Sequence, residues 1–255
     1  MEKSTKRTVS AINKKEKIGI FGDYDVDGAT STALLGQFFS ELKIPYEIYI
    51  PDRRKEGYGP TIEGLKELIH RGVTIIFTVD CGTLSFEAID YAKSCNIDVI
   101  VLDHHQSEIN LPKAYSIVNP NRLDDESKLQ YLCAAGVTFM FLVSMNRELR
   151  INNWFKNNEI NEPNLINYLD LVSLGTVCDV VPLVGLNRAI VKQGLKILKI
   201  KKNLGLKTLF DICKIDTNPS IYHLGFMLGP RINAGGRVGK CSHGANLLLN
   251  TNPKN

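Results

Sequence analysis

The sequence predicts an α/β fold, a parallel β-sheet flanked by helices and followed by a mainly helical second half. Apolar runs rich in β-branched residues near 17–22, 46–50, 74–79, 98–102 and 115–118 alternate with stretches of helical period at 29–42, 60–71 and 84–95. Strand, helix and strand in series mean a parallel sheet with both faces covered. The runs Ile18 to Phe21, Ile75 to Val79 and Val99 to Leu102 each lead into acids or histidines, and in such sheets ligands sit beyond the carboxyl ends of the strands. After Pro120 the pattern changes: a charged loop from Leu123 to Gln130 precedes helical periods at 131–149, 163–175, 186–199 and 204–214.

A chain of 255 residues, 44% apolar and 23% charged, can bury a sizeable core as one large domain or one domain with an appendage. Its longest apolar stretch, Leu132 to Val143, is broken by Gly136 and Thr138 and falls well short of the roughly 20 residues that span a bilayer. The N-terminus, Met1-Glu2-Lys3-Ser4-Thr5-Lys6-Arg7, is polar with no apolar segment behind it, so neither a transmembrane helix nor a signal peptide is predicted. Six scattered cysteines with no CxxC pair predict reduced thiols in a cytoplasmic protein. Cys81 and Cys178 each adjoin a motif aspartate, but zinc–thiolate sites show paired spacing; both read as small buried residues beside a carboxylate. The net charge of +4 permits a polyanionic partner without requiring one, and Arg53-Arg54-Lys55, Arg231 and Arg237 could set positive potential near the acids. The Asn-rich stretch from Asn152 to Asn164, with three apolar residues, is predicted to be a surface connection.

The first strand leads into Asp23-Tyr24-Asp25-Val26-Asp27-Gly28. Two-residue spacing in an extended segment would put Asp23, Asp25 and Asp27 on one side, where three carboxylates repel unless a cation is present. A divalent metal resolves that conflict, whereas a helix cap needs one Asp and not three. A calcium loop of the EF-hand type needs Glu at its twelfth position, which is Leu34 here, and a strand precedes the motif. A phospho-aspartyl transferase of the haloacid dehalogenase type also opens with Asp-x-Asp after a strand, but it leaves the later histidines and Asp179 unexplained. Gly28-Ala29-Thr30-Ser31 begins a helix whose free N–H groups could hold a phosphate oxygen.

The third strand ends at Val79-Asp80-Cys81-Gly82, a place suited to a carboxylate that bridges two metals from the pocket floor. The fourth ends at Leu102-Asp103-His104-His105; imidazoles together with carboxylates suit Mn²⁺ better than an all-oxygen site. Adjacent side chains diverge, so one histidine is expected to ligate metal and the other to face substrate, with Asp103 orienting an imidazole. From the helical half, Gly175-Thr176-Val177-Cys178-Asp179-Val180-Val181-Pro182 supplies Asp179, although an Asp near a helix boundary can equally be a cap.

In order along the chain, GDYDVDG, IPDRRKEGYG, VDCGT, LDHH, NPNR, GTVCDVVPL and GPRINAGGR resemble the DHH phosphoesterase family, specifically its RecJ-type single-strand exonucleases, over nearly the whole chain. The resemblance implies a Rossmann-like DHH catalytic domain spanning 1–255, with an α/β core at 1–120 and a mainly helical part at 121–255. It implies that Asp25, Asp27, Asp80, His104 and Asp179 ligate two Mn²⁺ or Mg²⁺ ions, with Asp80 bridging, Asp23 an additional ligand and His105 on the scissile phosphate. His105, Asp80 and Asp103 would form the catalytic group. The implied reaction is two-metal hydrolysis without a covalent enzyme intermediate, releasing mononucleotides 5′ to 3′ from single-stranded DNA in repair and recombination. Arg53 is the candidate for the 5′-terminal phosphate, and Arg231, Asn233 and Arg237 for backbone contacts; a salt bridge is the competing role for each arginine. A monomer is expected, with a single-strand-binding protein or a helicase as partner and no membrane.

RecJ-like proteins continue into a linker helix, a DHH-associated domain and often an oligonucleotide-binding fold, which are expected to be absent from this chain, so that it reads as a catalytic-domain fragment. Gly235 stands where the family usually has a second Ala, which adds backbone freedom and removes no polar group. Two other functions compete: the same chemistry on short oligonucleotides, cyclic dinucleotides or a nucleotide bisphosphate, and a non-catalytic nucleic-acid or replication scaffold. Retention of every motif acid and both histidines argues against the scaffold.

Overall fold

The computed structural model describes residues 1–238 and 240–252, with side chains described at all of these except 236–238. Arg237, expected on the nucleic-acid backbone, therefore lies outside the described side chains. Five strands, β1 (Ile18–Gly22), β2 (Tyr46–Tyr49), β3 (Ile75–Val79), β4 (Asp98–Leu102) and β5 (Ser116–Val118), form one sheet in the order β2-β1-β3-β4-β5. Every pairing is parallel, and the register sets Gly22 beside Val79, Val79 beside Leu102, and Leu102 beside Val118. Four strands thus end level with one another, so the loops that follow them share one edge. That edge is where the sequence places the acids.

Side chains alternate across the strands. Ile18, Ile20, Ile75, Phe77, Ile100 and Leu102 enter the larger core, while Phe21, Ile76, Val99 and Val101 enter a smaller one beneath α3 (Ile62–His70) and α4 (Phe86–Ser94). The larger core is built on α2 (Val26–Glu41), which packs against α5 (Ala134–Ile151) and α7 (Leu169–Cys178). Phe39, Phe77 and Phe141 stack in series from α2 through β3 to α5, with ring centroids 5.8 and 5.5 Å apart. Truncating one such buried ring typically costs about 3–5 kcal/mol. The helical half continues with α8 (Gly185–Ile200), α9 (Leu204–Ile212), a π-helical turn at His223–Leu228, α10 (Gly229–Val238) and α11 (His243–Leu249). Among the described residues no helix is long and apolar enough to cross a membrane.

The five strands and the helices between them lie where periodicity predicts, and two segments differ from the sequence reading, one that it left unassigned and one that it misplaced. The polar N-terminus forms a helix, α1 (Glu2–Asn13), whose buried face includes Ser4, Thr5 and Thr8 beside Val9 and Ile12. Ser4 Oγ bonds Ser116 Oγ at 2.8 Å, Thr5 Oγ1 bonds Ser144 Oγ at 2.9 Å, and Arg7 Nη2 holds Glu16 Oε2 at 2.7 Å. Three of the six buried positions are hydroxyl side chains, Ser4, Thr5 and Thr8, so the apolar stripe is confined to Val9, Ala11 and Ile12. The second departure corrects the surface connection at 152–164: α6 (Trp154–Asn157) buries Trp154 and Phe155 in the larger core, because two adjacent aromatics outweigh a polar neighbourhood.

Candidate metal centre

Asp23 follows β1 and is buried. Asp25 caps α2, its Oδ1 accepting from the Gly28 N–H at 2.9 Å. Asp27 lies in the first turn, where its Oδ2 accepts from the Ala134 N–H at 2.6 Å and its Oδ1 from the Ala135 N–H at 2.9 Å. Both donors open α5, so this carboxylate answers the exposed N–H groups and positive end of that helix. The three acids therefore do not share one extended face as their spacing suggests: the helix begins inside the motif and divides them. Donor atoms of Asp23, Asp25 and Asp80 come within 4.8 Å of one another, as do those of Asp27, His104 and Asp179, and those of Asp80, His104 and His105. The expected phosphate cradle at Gly28 is also corrected. Gly28 N–H is held by Asp25 Oδ1 and Ala29 N–H by the Asp25 carbonyl at 2.9 Å, leaving neither for a ligand.

Asp80 takes a left-handed backbone, φ +61°, a conformation that costs a non-glycine residue on the order of 1 kcal/mol or more and collects at functional sites. Its N–H extends the sheet by one bond to the Leu102 carbonyl, 3.0 Å, and its side chain lies at the centre of the cluster. His104 stands among three carboxylates: Nε2 is 3.2 Å from Asp80 Oδ1 and 3.7 Å from Asp27 Oδ2, and Nδ1 is 3.6 Å from Asp179 Oδ2. Among the described residues, Asp23 Oδ1, Asp80 Oδ1, His104 Nε2 and Asp179 Oδ2 are buried without a hydrogen-bond partner. One such atom costs about 1–3 kcal/mol; several converging on one small volume are what a cation site requires. The donors are carboxylate oxygens and imidazole nitrogen, which fits Mn²⁺ or Mg²⁺ chemistry. The thiols stay outside it. Cys81 Sγ donates to the Val79 carbonyl, Cys178 Sγ donates to the Leu224 carbonyl, and burial pushes the Cys178 thiol up to about 12.

Burial, reinforced by the neighbouring acids, raises Asp23 to about 7, Asp27 to about 8 and Asp179 to about 6, and moves Asp80 well above the carboxylate range. Burial lowers His104 to about 4, so its imidazole is neutral at physiological pH, the form that ligates metal. Asp103 behaves in the opposite way. Burial works against its charge, but hydrogen bonds from His105 and Thr83 outweigh it and hold the carboxyl at about 2. Asp103 Oδ1 bonds His105 Nδ1 at 2.7 Å and the His104 N–H at 2.8 Å, while Oδ2 accepts from the Thr83 N–H at 3.0 Å. The bond to Asp103 in turn raises His105.

Residues 17–176 match the family model described as the DHH family, N-terminal domain. The chain belongs to the DHH family. It is 39% identical to the single-stranded-DNA-specific exonuclease RecJ of Escherichia coli K12 over 252 residues, 98% of this chain and 44% of that protein. Against RecJ of Bacillus subtilis 168 the identity is 35%, over 98% of this chain and 30% of that one. Among solved structures it is similar to exonuclease RecJ bound to manganese, with TM-score 0.83 and 31% identity over 96% of this chain and 59% of that one. RecJ of Thermus thermophilus in complex with Mn²⁺ gives TM-score 0.80 and 29% identity over 97% and 34%. The chain spans less than half the length of these curated relatives.

Around the acidic centre of this DHH protein, the expected substrate residues fare differently. Arg53, in the loop after β2, lies over the ring of Tyr24 at 5.2 Å from its centroid, beside the aspartate motif. Arg231 is exposed, and its Nη1 donates to the Met227 carbonyl of the preceding π-helical turn at 2.7 Å. Asn233 Oδ1 is buried without a partner, on α10, whose start is so close to α7 that a Cβ on Gly229 would lie 2.5 Å from Cys178 Sγ. One residue was missed by role. Tyr58, between Gly57 and Gly59 at φ +84° and +82°, donates from its hydroxyl to the Asp80 carbonyl at 2.8 Å and lies 3.2 Å from a His105 ring nitrogen. A tyrosine flanked by glycines after a strand was the available signal, since the glycines let the loop fold back over the pocket.

Proposed function

We propose that this DHH protein is a metal-dependent phosphodiester hydrolase that degrades single-stranded DNA from its 5′ end to mononucleotides. The observation that carries the reading is the convergence of unpartnered donors from Asp23, Asp80, His104 and Asp179 at the carboxyl edge of the sheet. Asp23, Asp25 and Asp80 would hold one Mn²⁺ or Mg²⁺ ion, and Asp27, His104 and Asp179 a second. Asp80 reaches both groups, which suits a bridging carboxylate. When bound, such ions lower the pKa of a coordinated water and neutralise charge on the attacking and leaving oxygens.

The chain's own residues supply the rest. Asp103, ionised and held by Thr83, fixes the His105 ring and raises its pKa; in its protonated form His105 would present a positive N–H to the scissile phosphate. Tyr58 restrains that ring from the solvent side. Arg53, lying over the Tyr24 ring beside the aspartate motif, would take a terminal 5′ phosphate. The single-strand preference is supported by likeness to relatives named for that specificity.

Incubation with 5′-phosphorylated single-stranded DNA and Mn²⁺, beside a dinucleotide and with Asp80→Ala as control, tests the reading. Stepwise mononucleotide release from the 5′ end, abolished by the substitution, is expected. Cleavage confined to duplex or to 3′ ends would overturn it, and cleavage of the dinucleotide alone would transfer the site to small phosphoesters.

A further inference from the structure

The segment Asn119-Pro120-Asn121-Arg122 leaves β5 next to the point where Asp103-His104-His105 leaves β4. The two strands end in register, Leu102 beside Val118, and one more ladder bond, Asp103 N–H to the Val118 carbonyl at 3.1 Å, carries the pairing into the histidine loop. Beyond it the backbone of that loop has no strand partner among the described residues. Side chains take over: Asn119 Nδ2 donates to the His105 carbonyl at 2.8 Å, and Asn121 Nδ2 donates to the His104 carbonyl at 2.5 Å.

The Asn119 amide is fixed at both ends. Asn119 Oδ1 accepts from the Asn121 N–H at 2.8 Å, closing a turn of the Asx kind, and its Nδ2 also donates to Thr83 Oγ1 at 2.8 Å. Asn119 and Thr83 are buried. Thr83 in turn gives its N–H to Asp103 Oδ2, so the same small network grips both the main chain of His105 and the carboxylate that orients its ring. A network that fixes Asn119 through both ends of its amide narrows the arrangements open to the loop.

We propose that Asn119 and Asn121 are positioning residues for the two histidines, Asn121 setting His104 for metal and Asn119 setting His105 for phosphate. The three-residue strand β5 then has a function beyond closing the sheet: it delivers the turn that holds the histidine loop. The proposal rests on the metal-centre reading above and makes a claim that reading does not, namely that two residues outside the acidic cluster divide their effects between metal affinity and turnover.

The test compares Asn121→Asp, Asn119→Asp and Thr83→Val with wild type, measuring Mn²⁺ affinity by calorimetry, kcat and KM on single-stranded DNA at saturating Mn²⁺, and thermal unfolding. Each Asp keeps the shape and loses the donor; Thr83→Val removes only the hydroxyl and remains informative if the buried charge of Asn119→Asp prevents folding. For Asn121→Asp, Mn²⁺ affinity weakened on the order of 10–100-fold is expected, as for other groups that orient a ligand from behind. For Asn119→Asp, and more mildly for Thr83→Val, a fall in kcat on the order of 10²-fold with little change in KM is expected, the scale of a small misplacement of a reacting group. Folded variants with unchanged Mn²⁺ affinity and unchanged kcat would overturn the proposal, as would equal losses in both quantities tracking only the loss of thermal stability. If wild type binds Mn²⁺ but degrades no DNA, the nuclease reading fails while the affinity of Asn121→Asp still decides the positioning role of Asn121.

Discussion

Asp103 Oδ1 meets His105 Nδ1 at 2.7 Å, and this pair is where the cluster settles charge against charge. The same carboxylate also accepts backbone N–H groups from Thr83, His104 and His105. Around it Asp23, Asp27 and Asp80 are buried, Asp179 is half-buried, and all four are crowded and raised in pKa. One acid serves the histidine, while the others raise one another's pKa, the charge crowding on which the proposed cation site rests.

Replacing Asp103 with Asn removes the charge that raises His105. The His105 pKa should fall, read by the NMR titration of its ring, and turnover at neutral pH should drop roughly 10–100-fold. The variant also tests stability in acid. Asp103 is depressed from 3.8 to about 2, so its contribution is present above pH 4 and lost as pH falls through about 2; by the usual conversion this is about 2 kcal/mol. Wild type should lose that increment between pH 4 and 2, and Asp103→Asn should not.

The metal-free protein should show the opposite dependence at higher pH. Asp23, Asp27 and Asp179 have folded values of about 7, 8 and 6, so the native state binds more protons than the unfolded chain and stability falls as pH rises from 5 to 8. The loss should be on the order of a few kcal/mol. Saturating Mn²⁺ should raise the unfolding temperature and reverse the slope, because binding needs ionised ligands. Melting curves in chelator and in Mn²⁺ across this range check both signs, and a metal-free curve that rises towards pH 8 would contradict the electrostatics.

Asp80→Asn removes one charge from the most crowded point. Without metal the variant should be at least as stable as wild type by thermal unfolding, since the lost carboxyl faces acids and has an unpartnered oxygen. With metal it should lose the cation-induced rise in melting temperature and at least about 100-fold in hydrolysis. A variant that is both active and stabilised by Mn²⁺ would remove Asp80 from the centre.

Gly175→Ala tests how closely α7 must approach α2. The added Cβ would stand 2.6 Å from Thr30 Oγ1, 2.8 Å from Ala135 Cβ and 2.8 Å from Asp27 Oδ1. Overpacking of this kind costs about 1–3 kcal/mol, and pushing Asp27 should also weaken Mn²⁺ binding. Urea unfolding and calorimetry separate the two effects.

Tyr58→Phe deletes the hydroxyl that bonds the Asp80 carbonyl. About 1 kcal/mol of stability should go with it, and the freed His105 ring should lower kcat more than it raises KM. Steady-state kinetics distinguish this from a loss of substrate affinity, which would raise KM at constant kcat.

The sequence by itself determined the parallel sheet, the edge at which its functional residues emerge, and the identities of the acids and histidines there, because strand period and β-branched runs are local and each motif directly follows its strand. It did not determine how those groups divide. Asp23, Asp25 and Asp27 look collinear until α2 begins at Val26 and turns Asp27 towards the distant start of α5. Nor does the sequence show that the Arg231 guanidinium meets the Met227 carbonyl of the preceding π-helical turn. Tertiary structure alone decided that Asn119 and Asn121 grip the histidine loop, that hydroxyls bury α1, and that Trp154 and Phe155 fill the core. Each of these depends on which distant surface a side chain meets, and the free energy of that meeting belongs to the packed pair and not to either segment alone.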